Sequence, residues 1–389
     1  MPVETRKLRL GMVGGGQGAF IGAVHRIASR IDDRWELVAG ALSSDPARAA
    51  ASAAELGIAP DRSYADFLTM AKAEAGRPDG IDAVAIVTPN HMHAAPAVAF
   101  LQAGISVICD KPLAATAEQA QAIAAAVKTG EAGTTGEAGT TGKAHFVLTH
   151  NYTGYPLMRQ AREMVARGDL GAIRVVQAEY AQDWLTESVE ATGNKQADWR
   201  TDPARSGGGG AIGDIGTHAF NLLSFVTGLR AEALAADLHS FGPGRRVDDN
   251  AHILLRFAGG ARGMLWASQV APGNENGLRL RIYGDKGGLE WGQENPNVMT
   301  WAPFGQPKQI LTRGGAGLGG GSGQFTRIPP GHPEGYLEGF ATLYNDAADL
   351  ISGAGAGALL PGIAEGLDGM WFIDACIRSS QKDGGWIAR

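Results

Sequence analysis

The stretch that most limits how this chain can fold is Gly14-Gly15-Gly16-Gln17-Gly18-Ala19. It follows the apolar run Leu8–Val13 directly and leads into the apolar-periodic run Ala19–Ile31. Strand, glycine turn, helix: in that setting G-x-G-x-x-G/A is a phosphate-binding turn. Gly14 permits the tight turn, and Gly16 lets the backbone approach a pyrophosphate. The small Ala19 lets helix and strand pack, and the helix N-terminus receives the negative charge. Gln17 and Gly18 complete the loop. In a chain with 57 glycines the same letters also fit a plain glycine-rich turn, so their neighbours must decide.

The neighbours alternate in the manner of βαβ units. Glu36–Leu42 reads as a strand, and Asp45-Pro46 opens a helix that runs to Leu56. Ile81–Val87 is a near-continuous apolar strand ending at Thr88-Pro89-Asn90; Ala94–Ala103 is helical; Ile105–Cys109 is another strand, and His145–Thr149 is a candidate last one. Beyond it the pattern changes. Leu157–Arg167 is a helix ending at Gly168, and Ile173–Tyr180, His252–Phe257, Gly263–Gln269 and Leu278–Tyr283 are strands with few helices between them. That spacing predicts an antiparallel or mixed sheet. At 389 residues the chain exceeds one ordinary core. The expectation is an α/β chain of two domains, 1–148 for a dinucleotide and 149–389 for a substrate.

Composition narrows the class. Lys plus Arg number 34 against 40 Asp plus Glu, a net −6, which gives no pull toward nucleic acid. The charged N-terminus lacks a signal peptide's apolar core, and no run of 18 apolar residues follows. Cys109 and Cys376 are the two cysteines, too few for a disulfide framework or a metal cluster. A cytoplasmic protein with no metal, membrane or nucleic-acid partner is expected. Gly130–Thr135 recurs letter for letter at Gly136–Thr141 and reads as a duplicated surface loop, tolerant of deletion. Gly314–Gly323 holds seven glycines in ten residues, and is either a lid or slack.

Three further sites carry chemistry. After the second strand come Ser43-Ser44-Asp45 and, one turn on, Arg48. Serines bond a hydroxyl or a phosphate and Arg48 can pair with a 2′-phosphate, so NAD and NADP both remain open. Asp110-Lys111-Pro112 stands at a strand's carboxyl end, where open α/β sheets bind ligands; the alternative is a solvated loop lysine. Gly207–Gly210 leads into Gly213-Asp214-Ile215-Gly216-Thr217-His218. A helix starting near Asp214 places Asp214 and His218 four apart on one face, where a carboxylate can orient an imidazole for proton transfer. The bland reading is a helix cap and an unrelated buried histidine.

Taken in order, the glycine turn, Thr88-Pro89-Asn90 with His93, Asp110-Lys111-Pro112 and Asp214–His218 resemble the glucose-fructose oxidoreductase / inositol dehydrogenase / MocA family of NAD(P)-dependent sugar and cyclitol oxidoreductases. The resemblance runs from Leu8 to about Phe340. Family members usually carry Glu where this chain has Asp110, and the tandem repeat is extra. The resemblance implies a Rossmann domain followed by an α+β domain with a large open, mostly antiparallel sheet, through which subunits pair into a homodimer or homotetramer. It implies that Thr88, Pro89, Asn90 and His93 lie near the nicotinamide ribose, that Lys111 bridges cofactor and substrate, and that Asp214 with His218 handles the proton. It places Asn151 and Tyr152, and less directly Arg200, at the substrate. The expected activity is hydride transfer between NAD or NADP and a secondary alcohol of a sugar, glycoside or cyclitol. Two rivals remain: an NAD-dependent glycosidase using transient oxidation, and a catalytically silent sugar or cofactor sensor on the same fold.

Overall fold

Short apolar strands alternating with helices build a parallel sheet in the first part of this computed structural model, which describes residues 6–131, 143–319, 323–355 and 359–389. The strands are β1 (Leu8–Gly14), β2 (Trp35–Ala41), β3 (Ala83–Val87), β4 (Ser106–Cys109) and β5 (Phe146–Leu148), in the order β2-β1-β3-β4-β5. Every pair is parallel. β3, β4 and β5 are buried at every position, as an unbroken apolar run requires when helices cover both faces. The helices are Phe20–Ile31, Pro46–Glu55, Phe67–Ala75, Ala94–Gln102 and Ala117–Glu131. Asp45 and Asp66 start two of them, their carboxylates accepting from the Arg48 and Thr69 amides, the ordinary N-cap device. Phe67–Ala75 was not anticipated from the sequence; its apolar residues are spread round the helix and give no clear helical period.

The chain divides into two units, Met1–Thr149 with Phe340–Leu367, and His150–Gly339 with Asp368–Arg389. The late segment thus adds to the stretch 1–148 expected from the sequence. Its anchors in the first unit are apolar as well as polar, with Phe340 packed on His25 and Tyr344 on Trp35. Tyr344 Oη meets His25 Nδ1 at 2.8 Å, Trp35 Nε1–H donates to the Tyr344 carbonyl at 2.8 Å, Arg34 pairs with Asp349 at 2.8 Å, and Leu148 N–H donates to the Pro361 carbonyl at 2.8 Å.

The second unit holds a nine-stranded open sheet. Its strands are β6 (Ile173–Ala181), β7 (Ala231–His239), β8 (Asn250–Phe257), β9 (Arg262–Ser268), β10 (Gly277–Gly284), β11 (Gly287–Gly292), β12 (Val298–Pro303), β13 (Gln309–Thr312) and β14 (Ile387–Ala388). The order is β13-β12-β11-β10-β6-β9-β8-β7-β14. All neighbours are antiparallel except β6 with β9. Burial alternates residue by residue along β8, the period-2 signature of a sheet with one covered face. Leu157 and Met158 of the helix Pro156–Arg167, and Phe220, Leu222 and Leu223 of the helix Thr217–Thr227, share that face's core with Val176, Leu278 and Leu280. Each such side chain stabilises the fold by roughly 1.5–3 kcal/mol relative to exposure.

The duplicated hexapeptide lies, beyond residue 131, outside the described residues. The glycine-rich stretch is described up to residue 319, where the Gly319 amide donates to Gln160 Oε1 at 3.0 Å. No helix among the described residues is long and apolar enough to cross a membrane.

Candidate active site

In the first unit the glycine turn closes β1. Gly14, Gly15 and Gly18 adopt φ of 78°, 72° and 79°, the left-handed region that other residues enter at a cost. A Cβ on Gly16 would stand 2.7 Å from the Leu42 carbonyl oxygen, so only glycine lets the turn reach the end of β2. The close helix approach assigned to Ala19 is made elsewhere: a Cβ on Gly22 would lie 2.4 Å from Gly15 Cα. Ala19 is the N-cap residue, and its side chain caps nothing. Gln17 N–H donates to Ser52 Oγ at 3.1 Å, and Gln17 Nε2 to Glu55 at 3.1 Å. These residues border a groove of about 350 Å³. The fit to a pyrophosphate is direct: Gly18 faces open space where a Cβ would stand, beside a helix start whose first amides no side chain caps.

The residues that the sequence offers for an adenosine ribose follow β2. Ser43 is half-buried and Ser44, Asp45 and Arg48 are exposed. Asp45 is engaged as the N-cap through the Arg48 amide at 2.8 Å, and Ser43 Oγ accepts from Asp45 N–H at 3.1 Å. No carboxylate other than this cap stands among the residues directly after β2.

Register aligns Gly14 with Val87, and Ile86 with Cys109, so the glycine turn, Thr88–Asn90 and Asp110–Lys111 share the sheet's carboxyl edge. His93 is buried behind them. Its Nδ1 meets the Pro112 carbonyl at 2.8 Å and its Nε2 the Thr88 carbonyl at 2.9 Å, tying the two loops together. Burial lowers its pKa, against the opposing charge of Asp110 and the two carbonyls. Thr88 Oγ1 donates to the Met92 carbonyl at 3.2 Å, and Asn90, also buried, opens a short turn. Asp110 Oδ1 accepts from the Lys111 amide at 2.9 Å and from Thr149 Oγ1 at 3.2 Å, which fixes the backbone that carries the half-buried Lys111. Cys109 is fully buried and burial raises its thiol pKa; it is a packed residue.

In the second unit the helix of the Asp214–His218 pair begins earlier than the sequence predicts. A π-helical turn, Ile212–Gly216, precedes Thr217–Thr227; such turns recur at functional sites. Asp248 holds it, with Oδ1 and Oδ2 accepting from the Gly210 and Ile212 amides at 2.7 and 2.8 Å and its carbonyl from Ala211 N–H at 2.8 Å. The glycine run has a reason here: a Cβ on Gly210 would sit 2.0 Å from the Asp248 carbonyl oxygen. Asp214 is no helix cap. Its Oδ2 accepts from Arg200 Nε at 3.2 Å and from Gln269 Nε2 at 3.0 Å, and the Arg200 guanidinium lies 4.3 Å over the Trp199 ring.

His218 is 8% exposed and walled by rings. Tyr152 lies 4.9 Å from it at 76°, His150 at 5.5 Å and 86°, and Tyr180 at 6.2 Å. Burial raises the pKa of both tyrosine hydroxyls. Asn151, between His150 and Tyr152 in the chain, is 1% exposed, and its side-chain amide makes no well-formed hydrogen bond among the described residues, with the Tyr152 hydroxyl as its polar neighbour. The structure thus gathers Asn151, Tyr152, Arg200, Asp214 and His218 within one unit, while Lys111 belongs to the other. His150, Tyr180, Gln269, Asn276 and Asp248 escaped the sequence reading. His150 adjoins Asn151-Tyr152 and was findable; the rest looked like ordinary strand and loop residues.

Comparison with known proteins agrees with both halves. Residues 8–133 match the oxidoreductase family with an NAD-binding Rossmann fold, and residues 158–290 match the GFO/IDH/MocA C-terminal domain. An oxidoreductase from Sinorhizobium meliloti is 54% identical, superposes with a TM-score of 0.87, and is matched over 98% of this chain and 100% of its own. An inositol dehydrogenase homolog of Azotobacter vinelandii, solved with NADH and myo-inositol, is 36% identical with a TM-score of 0.88, over 99% of this chain and 98% of its own. Levoglucosan dehydrogenase of Pseudarthrobacter phenanthrenivorans is 28% identical over 98% of each chain.

Proposed function

Because the chain belongs to the GFO/IDH/MocA family of oxidoreductases with an NAD-binding Rossmann domain, we propose that it moves a hydride between a nicotinamide dinucleotide and a secondary alcohol carbon of a sugar, glycoside or cyclitol. The observation that carries this reading is the Asn151 amide, buried and set in the chain between His150 and Tyr152 of the His218 wall. Among the described residues it has no well-formed hydrogen bond at its donor or its acceptor, and the Tyr152 hydroxyl is its polar neighbour. A buried amide so poorly met is costly, and a ligand hydroxyl, which donates and accepts, satisfies it. The relatives bound to myo-inositol or named for levoglucosan offer ligands of that kind.

A bound dinucleotide would supply the redox chemistry. The glycine turn, Gln17 and the uncapped helix start would hold its phosphates, Ser43, Ser44 and Arg48 its adenosine ribose, and Thr88, Pro89 and Asn90 its nicotinamide ribose, with His93 bracing the loops. His218 takes the hydroxyl proton as the C–H hydride departs. Lys111 stabilises the developing alkoxide. Asp214, fixed by Arg200 and Gln269, keeps positive charge on the imidazole favourable. Asn151 holds a substrate hydroxyl. The outer face of the open sheet pairs two copies of the chain.

A panel of myo-inositol, levoglucosan, free sugars and aryl glycosides, each with NAD and with NADP, tests this by absorbance of the reduced cofactor. Reduction with at least one cyclic polyol is expected. Free sugar released without net reduction would make the protein a glycosidase, and tight cofactor binding without any turnover would make it a sensor.

A further inference from the structure

One hydrogen-bonded network in the second unit has its donor directions fixed, with two arms meeting at Asn276 Oδ1, and an indole fixes them. Trp184 Nε1–H, which can only donate, lies 3.1 Å from Gln182 Oε1. That fixes which end of the Gln182 amide is oxygen, so its Nε2–H donates to Asn276 Oδ1 at 2.9 Å. Asn276 is then fixed as well, and its Nδ2–H donates to Gln293 Oε1 at 3.0 Å. Asn276 Oδ1 has no hydrogen to give, so in its 2.7 Å contact Tyr180 Oη–H must be the donor. Tyr180 has only that one hydrogen. In the 2.6 Å contact between the two phenols, Tyr152 Oη–H therefore donates to Tyr180 Oη. Asn276 Nδ2 also lies 3.4 Å from Tyr152 Oη and closes the ring.

We infer that Tyr152 is a positioning residue for His218: its hydroxyl is drawn into the Tyr180–Asn276–Gln182–Trp184 chain, which fixes its ring against the imidazole. The ring stands 4.9 Å from His218 at 76° and stacks on Tyr155 at 5.8 Å and 26°. Held at its hydroxyl end and along one face, it has little freedom to swing away. Its one proton is committed to Tyr180 Oη, so Tyr152 is not free to act as an acid. Its pKa, raised by burial, keeps it from acting as a base. The proton step is left to the imidazole it holds. Tyr180, Asn276, Gln182 and Trp184 thereby join the working site, although Trp184 is three residues removed along the hydrogen-bond path. This inference rests on the proposed function only for what His218 does once positioned.

Neutron diffraction from deuterated crystals of the full chain reads the direction without any substrate. The Tyr152 deuterium is expected on the line to Tyr180, and the Tyr180 deuterium on the line to Asn276 Oδ1. The reverse order overturns the inference. The coupling to His218 is read by titrating 15N-histidine-labelled protein by NMR, with His218 assigned through His218→Gln. Tyr152→Phe keeps the ring but cuts it from the chain, and should move the His218 midpoint by about half a pH unit or more. Trp184→Phe should move it less and in the same direction. A His218 midpoint unmoved by Tyr152→Phe overturns the positioning role. Neither measurement uses turnover, so a failure of every alcohol in the panel would count against the proposed activity and leave this inference standing.

Discussion

Histidine in general titrates in a range suited to proton uptake near neutrality, and the rings around His218 restrict how it can move. His218→Ala is predicted to slow single-turnover alcohol oxidation by roughly 10² to 10⁴, the usual value of positioned acid–base catalysis. Cofactor affinity should hardly change, because the glycine turn and the Thr88–Asn90 loop belong to the other unit. Lys111→Ala should instead weaken turnover and cofactor binding together. Asp214→Asn should cost less than His218→Ala: the imidazole survives, and an amide still meets one of the donors, Arg200 and Gln269. The check is single-turnover hydride transfer across pH for the three variants. A near-normal rate and profile in His218→Ala, with both lost in Lys111→Ala, would transfer the base to Lys111.

At the scale of elements, the π turn depends on one buried acid. Burial pushes the Asp248 carboxyl up to about 6, against the hydrogen bonds from Ile212 and Gly210 that favour its ionised form. The folded value lies above the ordinary 3.8, so the folded protein binds this proton more readily than the unfolded chain. Its contribution is therefore complete below about pH 4 and fades as pH rises through 6. Asp248→Asn should remove that component, so the wild-type melting temperature measured relative to the variant's should fall between pH 4.5 and pH 7. Parallel melting curves across this window would show that the carboxyl does not titrate there. The sequence announced the turn's neighbourhood through Gly207–Gly210 and Asp214–His218 but not its clamp. Asp248 lies 34 residues beyond Asp214, and nothing local marks it. The parallel strands were legible because a strand buried on both faces is apolar throughout. β11 and β12 were not, because glycine, tryptophan and proline blur the alternation that marks a half-buried strand, and β13, four residues long, is too short to show one. The Tyr152–Tyr180–Asn276 ring was invisible for a simpler reason: it joins residues far apart in sequence, and periodicity reports only which face a residue takes.

For the whole molecule, the outer face of the nine-stranded sheet needs a physical account. Leu254 is 51% and Met264 52% exposed, on adjacent strands and in register with each other. With Ile253, Ala235 and Trp266 they border a depression of about 450 Å³, whose other edges are Glu179, Asp237, His252 and Arg281. An apolar centre with a charged border is the usual form of an association surface. A second copy of the chain is the partner such a face suits, because it carries both signs of charge and a twofold axis can set Glu179 or Asp237 of one copy against Arg281 of the other. Sedimentation velocity should show the wild-type chain as a dimer or tetramer. Leu254→Asp with Met264→Asp would bring four carboxylates, two from each copy, into that surface, and should weaken association there, toward a monomer if the wild type is a dimer. Both positions are already exposed within one protomer, so the folded unit should survive; far-UV circular dichroism checks this. An unchanged sedimentation coefficient in the double variant, with the fold intact, would move the association surface off this sheet.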